Sequence, residues 1–82
     1  MNKYDVEVVR DYNGLYYANM FKNGERVTGI PEYVNYRTLK KEIEHLTGFS
    51  ILPMKTLKFK RVGRKQYARF NNYSRESEHL TN

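Results

Sequence analysis

The chain predicts an α+β fold in one small domain: a three-stranded antiparallel meander, one helix and a C-terminal β-hairpin (βββαββ). The domain is expected to span residues 1–70, with a flexible polar tail over 71–82. Three observations predict this. Asn13-Gly14 and Asn23-Gly24 each sit between β-branched or aromatic segments, and Asn-Gly favours two-residue hairpin turns because both central residues need positive φ. Tyr36 to Thr47 repeats apolar residues at helical spacing. Gly63-Arg64 then divides two further alternating segments.

The first strand alternates, with Tyr4, Val6 and Val8 on one side and Asp5, Glu7 and Val9 on the other. A two-residue Asn13-Gly14 loop pairs Tyr12 with Leu15, Arg10 with Tyr17, Val8 with Asn19 and Val6 with Phe21. The expected core face is therefore Tyr4, Val6, Val8, Leu15, Tyr17 and Phe21. The outer face then holds Asp5, Glu7, Asp11, Tyr16, Ala18 and Met20, with Asp5 paired to Lys22. About Asn23-Gly24, Lys22 opposes Glu25, Met20 opposes Val27 and Tyr17 opposes Ile30. The third strand runs from Glu25 to Ile30, where Pro31 stops it.

Asn35 suits an N-cap for a helix over Tyr36–Thr47. Tyr36, Leu39, Ile43 and Leu46 form one apolar stripe along it. Gly48 suits the left-handed position after the last turn, and Phe49 is expected to pack back on that turn. Three turns are marginal alone, so the helix must lie on the meander's apolar face.

Ser50 to Met54 is an apolar connector broken by Pro53. Thr56–Val62 and Lys65–Phe70 then pair about Gly63-Arg64, a II′ turn with Gly first. Leu57, Phe59, Ala68, Phe70, Arg61 and Gln66 share one face. Lys58, Lys60, Val62, Lys65, Tyr67 and Arg69 share the other. This hairpin either extends the meander sheet or forms a separate small sheet on the same core.

Charge gives the functional expectation. The 82 residues carry +6, and residues 55–70 hold seven of the fifteen Lys and Arg but none of the nine Asp and Glu. The rest of the chain is thus net −1, and the whole excess lies on a strand pair whose apolar face must be buried. Such a patch favours a polyanionic partner. Lys55, Lys58, Lys60, Arg61, Arg64, Lys65 and Arg69 are the expected contacts to nucleic-acid phosphates or to an acidic protein surface, with Tyr67 stacking on a base. Lys58 opposite Arg69 places like charges side by side, an arrangement that a bound anion relieves.

The eight tyrosines suggest interfaces as well as core, since Tyr brings large contact area at low entropic cost. Tyr16, Met20 and Val27 on the expected outer face of the meander form a candidate protein interface, to be covered by a second copy of the chain. Small Tyr-, Asn- and Lys-rich chains of this kind resemble, in style, the accessory proteins of phages and mobile elements. Those include inhibitors of host nucleases and defence systems. A host-protein inhibitor or adaptor is accordingly the alternative to a nucleic-acid-binding module.

Catalysis is not expected. There is no Cys, His45 and His79 are isolated, and Glu42 and Glu44 diverge on a helix. No metal-ligand spacing or Gly-rich phosphate loop occurs, so no metal or cofactor is expected. Without Cys, a bilayer-length apolar run or a signal-like N-terminus, a cytoplasmic location with no membrane partner is expected.

Two Asn-Gly turns and a helix, YNGLYYANMFKNGERVTGI then YRTLKKEIEHL, cover about residues 4–47. This pattern resembles the arm-DNA-binding N-terminal domain of phage and transposon integrases. The resemblance implies DNA reading by the meander face opposite the helix. In the expected register that face carries Asp5, Glu7, Asp11, Ala18 and Met20, the wrong sign for phosphate. Any grip on nucleic acid then falls to the C-terminal hairpin.

Overall fold

The computed structural model describes residues 2–48 and 57–72. Five strands and one helix follow in the order β1 (Tyr4–Arg10), β2 (Tyr16–Lys22), β3 (Glu25–Arg26), α1 (Tyr36–Thr47), β4 (Lys60–Val62) and β5 (Lys65–Asn71). This is the expected α+β arrangement. All five strands join one antiparallel sheet in the order β3-β2-β1-β5-β4. The hairpin therefore extends the meander, through β5 against β1, and leaves β1 at the centre.

The two later turns form as their sequences dictate. Asn23 and Gly24 both have positive φ, 52° and 86°, and Lys22 opposes Glu25. Gly63 has φ 64° while Arg64 stays in the normal region, consistent with the II′ turn, and Lys60 opposes Tyr67. The short strands cover less than expected: β4 begins only at Lys60, so the expected Leu57–Phe70, Lys58–Arg69 and Phe59–Ala68 pairs are not part of its ladder. β3 stops at Arg26, although Val27 still donates to the Met20 carbonyl at 2.9 Å.

The first turn differs from expectation. Asp11 opposes Leu15 through the Asp11 N–H to Leu15 carbonyl bond of 2.9 Å, so the loop has three residues, Tyr12 to Gly14. Gly14 N–H donates to the Asp11 carbonyl at 3.1 Å, and Gly14 alone in the loop has positive φ, at 79°. This is a type I turn closed by a left-handed glycine. The Asp11 carboxylate selects it by accepting from the Asn13 and Leu15 N–H groups at 2.9 and 3.0 Å. The β1–β2 register accordingly slips by one residue, and such a slip turns every β2 side chain over.

Val6 now faces Met20 and Val8 faces Ala18. Tyr16 and Met20, expected outside, are 4% and 1% exposed in the core, with half-buried Val27 packed against them. The candidate outer interface of Tyr16, Met20 and Val27 is thus corrected: these residues meet the rest of this core and leave no such patch for a second copy. Tyr17 and Phe21 move to the open face, and Leu15 is exposed.

The core lies between α1 and one face of the sheet. Tyr4, Val6, Val8, Tyr16, Met20, Leu57 and Ala68 meet Leu39 and Ile43 there. Helix ends are satisfied locally. Asn35 accepts from Thr38 N–H at 2.8 Å, and Gly48, at φ 78°, donates to the Glu44 carbonyl at 2.8 Å. The outer end of the apolar stripe, Leu46, remains 40% exposed. The expected packing of Phe49, and the connector around Pro53, lie outside the described residues.

Two asparagines fasten the start of the central strand. Asn72 accepts from Tyr4 N–H at 2.8 Å on one side, and Asn23 accepts from Lys3 N–H at 2.8 Å on the other. No helix among the described residues is long and apolar enough to cross a membrane.

Candidate nucleic-acid interface on the open sheet face

Side chains opposite one another across an antiparallel ladder share a face. Pairing about β1 therefore defines the face turned away from α1. One row across it reads Asn19, Glu7, Arg69 and the next reads Tyr17, Val9, Tyr67, Lys60. Lys58 belongs to the same side, because its neighbours Leu57 and Phe59 both pack into the core while Lys58 is exposed. Val62 opposes Lys65 at the end of the hairpin. The hairpin's cations and the meander's open face thus form one continuous surface.

Most of the residues expected at the site are brought together here. Lys58, Lys60 and Arg69 are exposed, and Lys65 and Tyr67 are half-buried. Arg61 alternates to the helix side, opposite Gln66, and is exposed there. Arg64 stands in the turn, its guanidinium 5.8 Å from the centre of the Tyr12 ring. Lys55 lies outside the described residues.

Lys65 is the best-defined cation. Its Nζ donates to the Tyr17 hydroxyl at 3.0 Å and lies 5.2 Å from the centre of that ring. The bond to the Tyr17 hydroxyl, followed by the charge Tyr17 carries when ionised, raises the Lys65 pKa. Since Tyr17 is on β2 and Lys65 on β5, this contact crosses over β1. Beneath it Val9, expected to point to solvent, is fully buried between Tyr17 and Tyr67.

The β1–β2 half of the face has the opposite character. Glu7 accepts from Asn19 Nδ2 at 3.1 Å, and Asn19 Oδ1 accepts from Arg26 at 3.0 Å. Glu7, Asn19, Asp5, Phe21 and Arg69 line a shallow depression of about 190 Å³. Arg26 lies 5.9 Å from the centre of the Phe21 ring. Of the acids assigned to this face from sequence, Asp5 and Glu7 remain, whereas Asp11 is buried with its carboxylate bound into the turn. The face is therefore graded, acidic and amide-bearing over β1–β2 and basic over β4–β5.

Sequence pairing missed three contributors: Tyr17, Tyr33 and Tyr12. The Tyr33 ring lies 5.5 Å from that of Tyr17, and Tyr33 and Tyr12 are 53% and 69% exposed. A signal for the correct register was present, since type I turns favour Asp at the first position and Gly at the fourth, as in Asp11 to Gly14. No group of three or more His, Asp or Glu side chains suited to a metal occurs among the described residues.

No protein family, curated protein or solved structure matches this chain.

Proposed function

We propose that this chain is a non-catalytic nucleic-acid-binding module that holds a phosphate backbone on its β4–β5 hairpin. The observation that carries this reading is the shared face of Lys58, Lys60, Lys65 and Arg69. Lys60, Lys65 and Arg69 stand on β4 and β5 beside Tyr67, Lys58 directly precedes β4, and residues 57–71 contain no acid. The anchoring of Leu57, Phe59, Ala68 and Phe70 in or against the core keeps those cations on a rigid support. Pre-positioned charges lose less freedom on binding than charges on a loose tail.

Four phosphate contacts to a duplex correspond to a salt slope of about −3.6, or roughly a hundredfold loss of affinity for a fourfold rise in salt. The test is gel retardation of mixed DNA and RNA probes across a salt series, with a Lys58/Lys60/Arg69→Ala variant alongside. Binding that falls steeply with salt and is largely lost in the variant is the expected result. Absence of retardation for every probe at low salt overturns the proposal.

Exposed Tyr12 beside Arg64 supports a second reading, a small inhibitor or adaptor that meets an acidic surface of a larger protein, such as a nuclease or defence complex. A stoichiometric protein partner that survives nuclease treatment of a bacterial lysate is the outcome that favours it.

A further inference from the structure

We infer that the open face takes single-stranded nucleic acid, with phosphates along β4–β5 and unstacked bases over Tyr67, Tyr17 and Tyr33; this rests on the nucleic-acid reading above. Two independent observations point to it.

The first is the backbone at Tyr33. Among the described residues, Asn23 and Tyr33 are the non-glycine positions with positive φ, 52° and 58°. Asn23 belongs to its Asn-Gly turn, where a short polar side chain tolerates the left-handed region. Tyr33 has no such excuse, being bulky and outside any Asn-Gly pair. The neighbouring residue imposes the conformation: Val34 exchanges hydrogen bonds of 2.7 and 3.0 Å with Tyr16. Its consequence is a ring on the open face, set against Tyr17 and half exposed. Disfavoured backbone that survives in a fold marks sites where a side chain's placement matters.

The second is the layout of charge. β1 lies two strands from β4, about 10 Å across the sheet. Glu7 on β1 and Lys60 on β4 are thus separated by about the width of a duplex groove, which is roughly 6 or 12 Å. A duplex seated on the lysines brings its second phosphate chain against Glu7 and Asp5. A single strand has one phosphate chain and free bases, so it lays charge on the lysines and ring on ring across the centre.

Fluorescence anisotropy on the full chain tests this with labelled oligothymidylate, oligouridylate and a blunt duplex of equal length, at one low salt concentration. At least one single strand is expected to bind about tenfold or more tightly than the duplex. Tyr33→Gly keeps the positive φ without strain and removes the ring. It should weaken single-strand binding by about five- to a hundredfold, the range for one lost stack, and leave duplex binding nearly unchanged. Tyr33→Phe should bind as the parent does. Duplex bound as tightly as the tighter-binding single strand, or equal losses for both in Tyr33→Gly, overturns the single-strand inference alone. No binding of any probe overturns the nucleic-acid reading with it.

Discussion

Lys65 and Tyr17 touch across a strand that separates them: the 3.0 Å bond from Nζ to hydroxyl spans β1 and closes over Val9. Val9 faces away from the helix, yet it is as buried as Val8 beneath it. The sheet therefore has a small second apolar layer on its open side. It joins the basic hairpin mechanically to the meander.

Val9→Ala should consequently behave as a core substitution. The lost methyl groups and the space they leave correspond to about 2 kcal/mol. Urea unfolding of Val9→Ala and Val8→Ala should give similar losses. A Val9 loss within about 0.5 kcal/mol, as for an ordinary surface site, contradicts the layer.

Asp11→Ala removes the acceptor for two backbone N–H groups and should cost about 1–3 kcal/mol. Asp11→Asn retains an acceptor oxygen in the same place and should recover most of it. Equal stability of the alanine and asparagine variants in chemical denaturation rules out the carboxylate as the holder of the turn.

Leu39 and Leu46 stand on one helical stripe, but Leu39 is fully buried and Leu46 is 40% exposed. Leu39→Ala is expected to cost about 2–5 kcal/mol, a large part of the roughly 4–12 kcal/mol available to a domain of this size. Leu46→Ala should cost less than about 1 kcal/mol. Thermal melts of the pair check the difference.

Tyr36 supplies a pH signature. Burial first, then the neighbouring Tyr16 and Glu44, raise its pKa from 10.0 to about 12. The ionised form is thus disfavoured in the folded chain, so the folded state holds its proton to higher pH than the unfolded state. The contribution of Tyr36 is fully present below pH 10, and stability falls as pH rises from there towards 12. Tyr36→Phe should show a shallower alkaline loss, and ultraviolet titration should lack the last-ionising tyrosine.

Local chemistry was legible wherever the deciding groups are close in the chain. Asn23-Gly24, Gly63-Arg64, the Asn35 cap and the Gly48 end all behave as read, because each depends on φ preferences and hydrogen bonds within a few residues. The hairpin's division into an apolar and a basic face follows from the same cause. The first turn was also local but ambiguous. Asn13-Gly14 favours one loop and Asp11 another, and Tyr16, Tyr17, Met20 and Phe21 offer apolar side chains in either register.

The sequence by itself determined which segments become strands, where the helix begins and ends, and that the excess positive charge rides on a hairpin. Only the tertiary structure decided that β5 pairs with β1, since those strands lie at opposite ends of the chain and edge pairing leaves no local mark. That single pairing sets Arg69 beside Glu7, buries Val9 under Tyr17 and Tyr67, and aligns Lys60 and Lys65 with the meander's open face. A charge run became a graded surface because backbone hydrogen bonds, which are indifferent to side-chain identity, brought distant faces into register.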